Sequence, residues 1–205
     1  NAYQMSSNDI DTNLRVDPEN LYFWRMPRRR LAAEIIRDSI LTVAGTLDRT
    51  VGGPAVLPFI DPKLFQSSTD RTWAGKPDDD PSTWRRSIYV FSKRSIRYPF
   101  FEAFDQPDLI NSCDRRNRST IAPQALLLMN NGFVIMQAGF FAQRVEKEVG
   151  RDVAAQVERA FQLALARPPT EFERERALQF LEQRPAGLVD FCQALFNLSE
   201  FVYFQ

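Results

Sequence analysis

Apolar residues recur at helical spacing through most of the second half of the chain and in one stretch near its start. In "RRRLAAEIIRDSILTVAGTL", Ile36, Ile40, Val43, Ala44 and Leu47 stand at i, i+4, i+7, i+8 and i+11, one face of a helix. Arg30–Glu34 and Glu34–Arg37 have the spacing of helical ion pairs. Upstream, Asp17-Pro18 reads as an N-cap acid followed by proline at the first helical position. A helix is therefore predicted through "ENLYFWRM", with Pro27 kinking it or starting the next one. Residues 1–16 are polar and aperiodic and read as an arm.

From Pro123 the helical period continues almost to the end. "PQALLLMNN" breaks at Asn131-Gly132, and the next segment places Val134, Ala138, Phe141, Val145 and Val149 on one face before Gly150 stops it. Val153, Val157, Ala160, Phe161, Ala164 and Leu165 mark a further stripe. Thr170 with Glu173 has the form of a capping box and opens "EFERERALQFLEQ". A last helix, "LVDFCQALFNL", leads to "SEFVYF".

The middle of the chain is different. "SIYVFSK" alternates β-branched and aromatic residues and reads as the strand candidate, with Ile88 and Val90 on one side and Tyr89 and Phe91 on the other. Both sides being apolar, this run is expected inside. "YPFFEAF" reads as a short helix, and residues 59–84 and 105–121 as long loops rich in Pro, Asp and Ser. The fold class is mainly α: an irregular helical domain spanning 1–205, with about five or six helices, long loops and at most a small strand pair. Residues 122–205 form its helical C-terminal half.

Composition changes the picture mainly by exclusion. Hydrophobic residues make up 44% and charged residues 25%, ordinary for a globular protein. Acids and bases balance at 26 each, so no global field steers the chain to nucleic acid or an anionic membrane. No apolar run has membrane-spanning length. Histidine is absent, which removes His-dependent catalysis, the usual zinc sites and a haem ligated by this chain's own His. Cys113 and Cys192 form neither CxxC nor CxxCH. No cofactor and no metal site are expected. The two cysteines are either buried thiols or, in an oxidising compartment, a bond tying the central loop to the last helix. The chain begins at Asn1 rather than Met and reads as a piece of a longer protein.

Arginine dominates the bases and clusters at Arg28–Arg30, at Arg85, Arg86, Arg94 and Arg97, and at Arg115, Arg116 and Arg118. A polyanion or anionic substrate would use such forks, with Tyr89 and Phe91 stacking on bases. Zero net charge and nearby acids favour internal pairing instead. At least two of Arg85, Arg86, Arg94 and Arg97 are expected to pair with Glu34, Asp38, Glu102, Asp105 or Asp108, at sites costly to break. Glu102 with Asp105 also invites comparison with a glycosidase carboxylate pair, although their spacing puts both on one side of one short helix. Asp78-Asp79-Asp80 offers calcium ligands without the spacing of an EF-hand. "GGP" at 52–54 reads as a turn rather than a phosphate cradle, since a helix precedes it and a loop follows. Trp73 and Trp84 either stack on sugar rings or a partner domain, or anchor their loop to the body.

Five stretches in order carry a family resemblance. They are "DPENLYFWRMPRRRLAAEIIRDSIL" with "GGP", "RRSIYVFSKRS…FEAFDQPD", "CDRRNRSTIAPQALLLMNN", "ALARPPTEFE" and "CQALFNLSEFVY". Together, from Tyr3 to Tyr203, they resemble the domain of unknown function 1553 family, abundant in planctomycetes. The resemblance implies an extracytoplasmic location in the periplasm or at the cell surface. It also implies cytochrome-c-like modules and a second uncharacterised domain on the same polypeptide, and a histidine-containing segment upstream of this chain. The leading expectation is a non-catalytic accessory module that packs on those neighbouring domains. The rival is an extracytoplasmic carbohydrate-active enzyme domain using Glu102 and Asp105 with nearby arginines.

Overall fold

The computed structural model describes residues 4–64, 73, 75–78, 80–107, 112–114, 116, 119, 121–184 and 186–204. Among them the fold is mainly α. Its elements in order are α1 (Asp11–Val16), β1 (Arg29–Arg30), α2 (Ala33–Ala44), α3 (Pro99–Ala103), α4 (Ala122–Asn130), α5 (Gly132–Val149), α6 (Val153–Leu165), α7 (Glu171–Gln183), α8 (Leu188–Phe196), α9 (Ser199–Val202) and β2 (Tyr203–Phe204). The strands β1 and β2 pair antiparallel, Arg29 with Phe204 and Arg30 with Tyr203.

The longest helix, α5, is the central element, with α2, α4, α6 and α8 packed around it. Val134, Ala138, Phe141 and Val145 of its predicted stripe are buried, meeting Ile36, Ile40 and Leu41 of α2 and Phe191, Cys192, Leu195 and Phe196 of α8 in one cluster. Phe141 stacks on Phe196 with ring centroids 5.6 Å apart. At the N-terminal end of α5, Phe133 meets Phe100 edge-on at 6.1 Å, and Tyr98, Phe101 and Phe104 extend that aromatic layer under α3. No single helix is long and apolar enough to cross a membrane among the described residues; α4 and α5 meet both requirements only when taken together, and they are bent by 57° at their junction.

The helix stops follow local chemistry. Gly45 leaves α2 at φ 79, donating back to the carbonyls of Leu41 and Thr42. Asp152 caps α6, and Thr170 and Glu173 form the predicted capping box of α7. Glu173 also accepts both ends of the Arg167 guanidinium at 2.8 Å, and Arg167 reaches Glu200 as well. That fork, aided by Thr170, holds the Glu173 carboxyl at about 2, below its ordinary value. A depressed folded-state value contributes stability above the unfolded value near 4.5 that is lost as pH falls towards 2. Urea midpoints at pH 6 and pH 2.5 should therefore differ less in Glu173→Gln than in the parent chain, by about 1–2 kcal/mol for this half-exposed pair. An equal acid loss in both proteins would remove Glu173 as a source.

Three expectations need correction. The arm is not featureless, since it carries α1, although no residue of that helix is buried. No helix starts at Asp17, which instead ends α1; its carboxylate accepts the backbone N–H groups of Leu21 at 2.9 Å and Tyr22 at 2.8 Å. Those bonds close a turn and leave 17–28 irregular. Nor is "SIYVFSK" a strand. Ser87–Tyr89 is a single 3-10 turn, Val90 makes only an isolated bridge to Val56, and Ile88 is 76% exposed rather than internal. The turn forms because the Asp38 carboxylate on α2 takes the Ser87 N–H at 2.7 Å, pulling that amide out of any ladder.

Candidate functional site

The described residues between 45 and 98 contain only isolated 3-10 turns and bridges, so their carbonyl groups lack the ladder partners that strands would provide. Buried arginines supply donors instead. Arg37, on the inward face of α2, is 1% exposed. Its fork donates to the carbonyls of Thr83 at 2.6 Å and Arg85 at 3.0 Å and to Ser87 Oγ at 3.3 Å, while the guanidinium lies over the Phe133 ring. Burial lowers its pKa, opposed by Tyr98 and Asp38. Burial likewise pushes the Tyr98 phenol up to about 12, against the pull of the Arg37 charge.

Arg85 repeats the device. Its guanidinium sits 4.0 Å from the Tyr89 ring centroid and donates to the carbonyls of Pro54 at 2.6 Å, Thr50 at 3.1 Å and Gly52. Gly52 and Gly53, at φ 81 and 84, turn the chain so that these oxygens converge. The "GGP" turn thus presents oxygen to a cation, the opposite of a phosphate cradle. Arg30 is the third such residue. It donates to the carbonyls of Ser119, Leu31 and Phe104 and pairs with Asp105 at 2.6 Å. Asp105, in the left-handed region at φ 59, also accepts from Ser119 N and Oγ. The Gln124 amide completes the knot by donating to the carbonyls of Ala103 and Ser119.

The predicted set is therefore dispersed. Arg86 pairs with Asp38 at 3.4 Å and Arg97 with Glu102, so two of the four arginines do meet the expected acids. Both pairs are at the surface, where they contribute little. Arg94 is exposed and makes no ion pair among the described residues, so the strong destabilisation expected of Arg86 or Arg94 belongs to Arg37 and Arg30. Glu34 takes Arg116 from the third cluster at 3.0 Å; Arg115, Arg118 and Asp108 lie outside the described residues.

Glu102 and Asp105 are committed to different partners, Arg97 and Arg30, and are not brought together over a cleft. Trp73 and Trp84 are buried, each donating its indole N–H to a backbone carbonyl, of Pro58 and Asp78 respectively, so they anchor the loop and offer no sugar platform. Asp80 caps the 3-10 turn Pro81–Thr83 and pairs with Lys76, while Asp79 lies outside the described residues. No cluster of three metal-ligating side chains occurs among the described residues. Cys192 is fully buried and its thiol pKa is raised by that burial, whereas Cys113 is exposed; the two are not bonded to each other. Cys192 belongs to the hydrophobic core cluster.

What sequence reasoning missed is an exposed apolar tip between α1 and β1. Leu21, Tyr22 and Phe23 are 68%, 85% and 61% exposed. They are held, not dangling. Asp17 accepts two backbone N–H groups, its own carbonyl accepts the Trp24 indole N–H at 2.8 Å, and the Asn20 side chain exchanges hydrogen bonds with Arg25 backbone. Asn20 and Phe23 both sit at positive φ, 56 and 54. A bulky residue in that region is strained, so the surrounding turn holds the tip in one shape. Exposed apolar side chains also occur on α4, which carries no charge and leaves Leu126 and Met129 exposed, with Ile121 at its N-cap and Ile135 on α5 exposed as well.

The domain is mainly α, with the buried Arg30, Arg37 and Arg85 donating to its own backbone carbonyls. A family profile described as PSD1, protein of unknown function (DUF1553), matches residues 1–181, and the chain belongs to that family. The terminal stretch "CQALFNLSEFVY" lies beyond the matched residues. No curated protein and no solved structure matches the chain.

Proposed function

We propose that this chain is a non-catalytic accessory module that docks, through the Leu21-Tyr22-Phe23 tip, onto a neighbouring domain of the same extracytoplasmic polypeptide. The observation that carries this reading is the tip itself: three consecutive large apolar side chains held outward by a hydrogen-bonded, strained turn. Charges of both signs flank it in sequence, Asp9, Asp11 and Glu19 against Arg15, Arg28 and Arg29, which favours neither an anionic bilayer nor a polyanion. The tip exposes roughly 400 Å², enough to mark an interaction surface but about half of what each partner buries in a stable free-standing complex. A covalently attached partner supplies the difference through effective concentration. Cytochrome-c-like modules and the periplasmic or cell-surface compartment enter this proposal from the family resemblance.

Hydrogen exchange tests it by comparing the complete gene product with the 205-residue chain. Amides at 17–25 are expected to exchange at least about tenfold more slowly in the complete protein. Equal rates there would sink the tip as a docking surface. No observation favours the carbohydrate-active reading, since Glu102 and Asp105 serve separate surface and buried pairs.

A further inference from the structure

One cleft of the molecule is lined by none of the tip residues. It encloses about 820 Å³ between the end of α2 with its following turn and the second half of α5, with Leu163 of α6 also lining it. That volume lies within the range of small-molecule sites. Its apolar surface comes from Phe140, Leu163 and Leu47, and its charged groups are Arg49, Arg144, Lys147 and Glu148.

Those charges are not equally available. Both Glu148 oxygens are occupied, one by Arg144 Nε at 2.8 Å and the other by Arg159 Nε at 2.5 Å, which hold its carboxyl below the usual range. Arg144 also donates to the carbonyls of Thr42 at 3.0 Å and Val43 at 2.9 Å, covering the negative end of α2. Arg49 and Lys147 remain: both are exposed and neither makes a hydrogen bond or ion pair among the described residues. The helix ends oppose an anion with about half a charge each, and one of them is already capped, so two full cationic charges prevail. Behind Thr46, which lines the cleft, the fully buried Gln137 accepts the Thr46 hydroxyl at 2.6 Å and leaves its own Nε2 without an acceptor.

We propose that this cleft binds a small organic carboxylate with an apolar body, the carboxylate held by Arg49 and Lys147 and the body against Phe140 and Leu163. Neither cation supports a described structural contact, so charge reversal leaves the fold intact. The test is a heteronuclear NMR titration of the 205-residue chain with phenylacetate, and with 2-phenylethanol and benzylamine as neutral and cationic counterparts. Phenylacetate is expected to shift amides at 42–49 and 140–148 with millimolar affinity, and benzylamine to leave them unmoved. The Arg49→Glu, Lys147→Glu double variant should bind phenylacetate at least about tenfold more weakly. Absence of shifts to about 10 mM, equal binding of 2-phenylethanol, or unchanged affinity in the double variant would each overturn the proposal.

Discussion

Arg37→Ala should unfold at far lower urea than the parent chain, with a loss of about 4 kcal/mol, the largest single-residue effect expected outside the aromatic core. The substitution removes a side chain that is almost wholly buried and strands three acceptors, the carbonyls of Thr83 and Arg85 and the hydroxyl of Ser87. It also opens a void against Phe133. Arg37→Lys keeps a charge but cannot reach several acceptors with one planar fork, so it should recover only about half of the loss. Arg94→Ala provides the contrast: exposed and unpaired among the described residues, it should change stability by no more than about 0.5 kcal/mol. If Arg37→Ala and Arg94→Ala have similar midpoints, the buried arginine does not organise residues 83–87.

Asp105→Ala is expected to cost about 3 kcal/mol, for two separable reasons. Its carboxylate is the acidic partner of the buried Arg30 and the acceptor for Ser119 N and Oγ. Its backbone occupies the left-handed region, which aspartate and asparagine tolerate better than alanine. Asp105→Asn keeps the backbone preference and one carbonyl oxygen while removing the charge, so it should lose only about half as much. Denaturant midpoints for the two variants read this directly. Equal losses would mean that the ion pair dominates and the backbone contributes little. Both outcomes bear on chemistry, because a carboxylate locked to a buried guanidinium is poorly placed to transfer protons to a substrate.

Helix ends were the most legible part of the sequence, because caps are local. Thr170 with Glu173 and Gly150 after α5 act within one turn of themselves, so a short window contains the whole cause. Residues 85–91 failed for the opposite reason. Their conformation is set by Asp38 and Arg37, about fifty positions away, which take an amide and a carbonyl that a strand would have used. Arg37 itself read as an ion-pair partner of Glu34, yet its position falls between the buried Ala44 and Leu41 on the helical wheel. A wheel drawn without regard to residue type would have placed it in the core. The tip had a weaker signal: Asp17, Asn20 and three apolar residues read as a helix start because an Asx turn and an N-cap use the same residue types.

The two-residue ladder between β1 and β2 is extended by the Leu31 amide, which donates to the Val202 carbonyl at 2.8 Å. This join closes the entrance to α2 with the last residues described. During synthesis the start of α2 therefore emerges long before its partner, and the closure has a large entropic barrier set by the intervening chain. Helices α5 to α8, which pack on one another within one contiguous stretch of chain, are free to assemble first, leaving this clasp as a late folding step. A stalled or truncated product ending before Val202 would carry a formed helical half with an unfastened N-terminal edge, the species most exposed to proteolysis and misassembly.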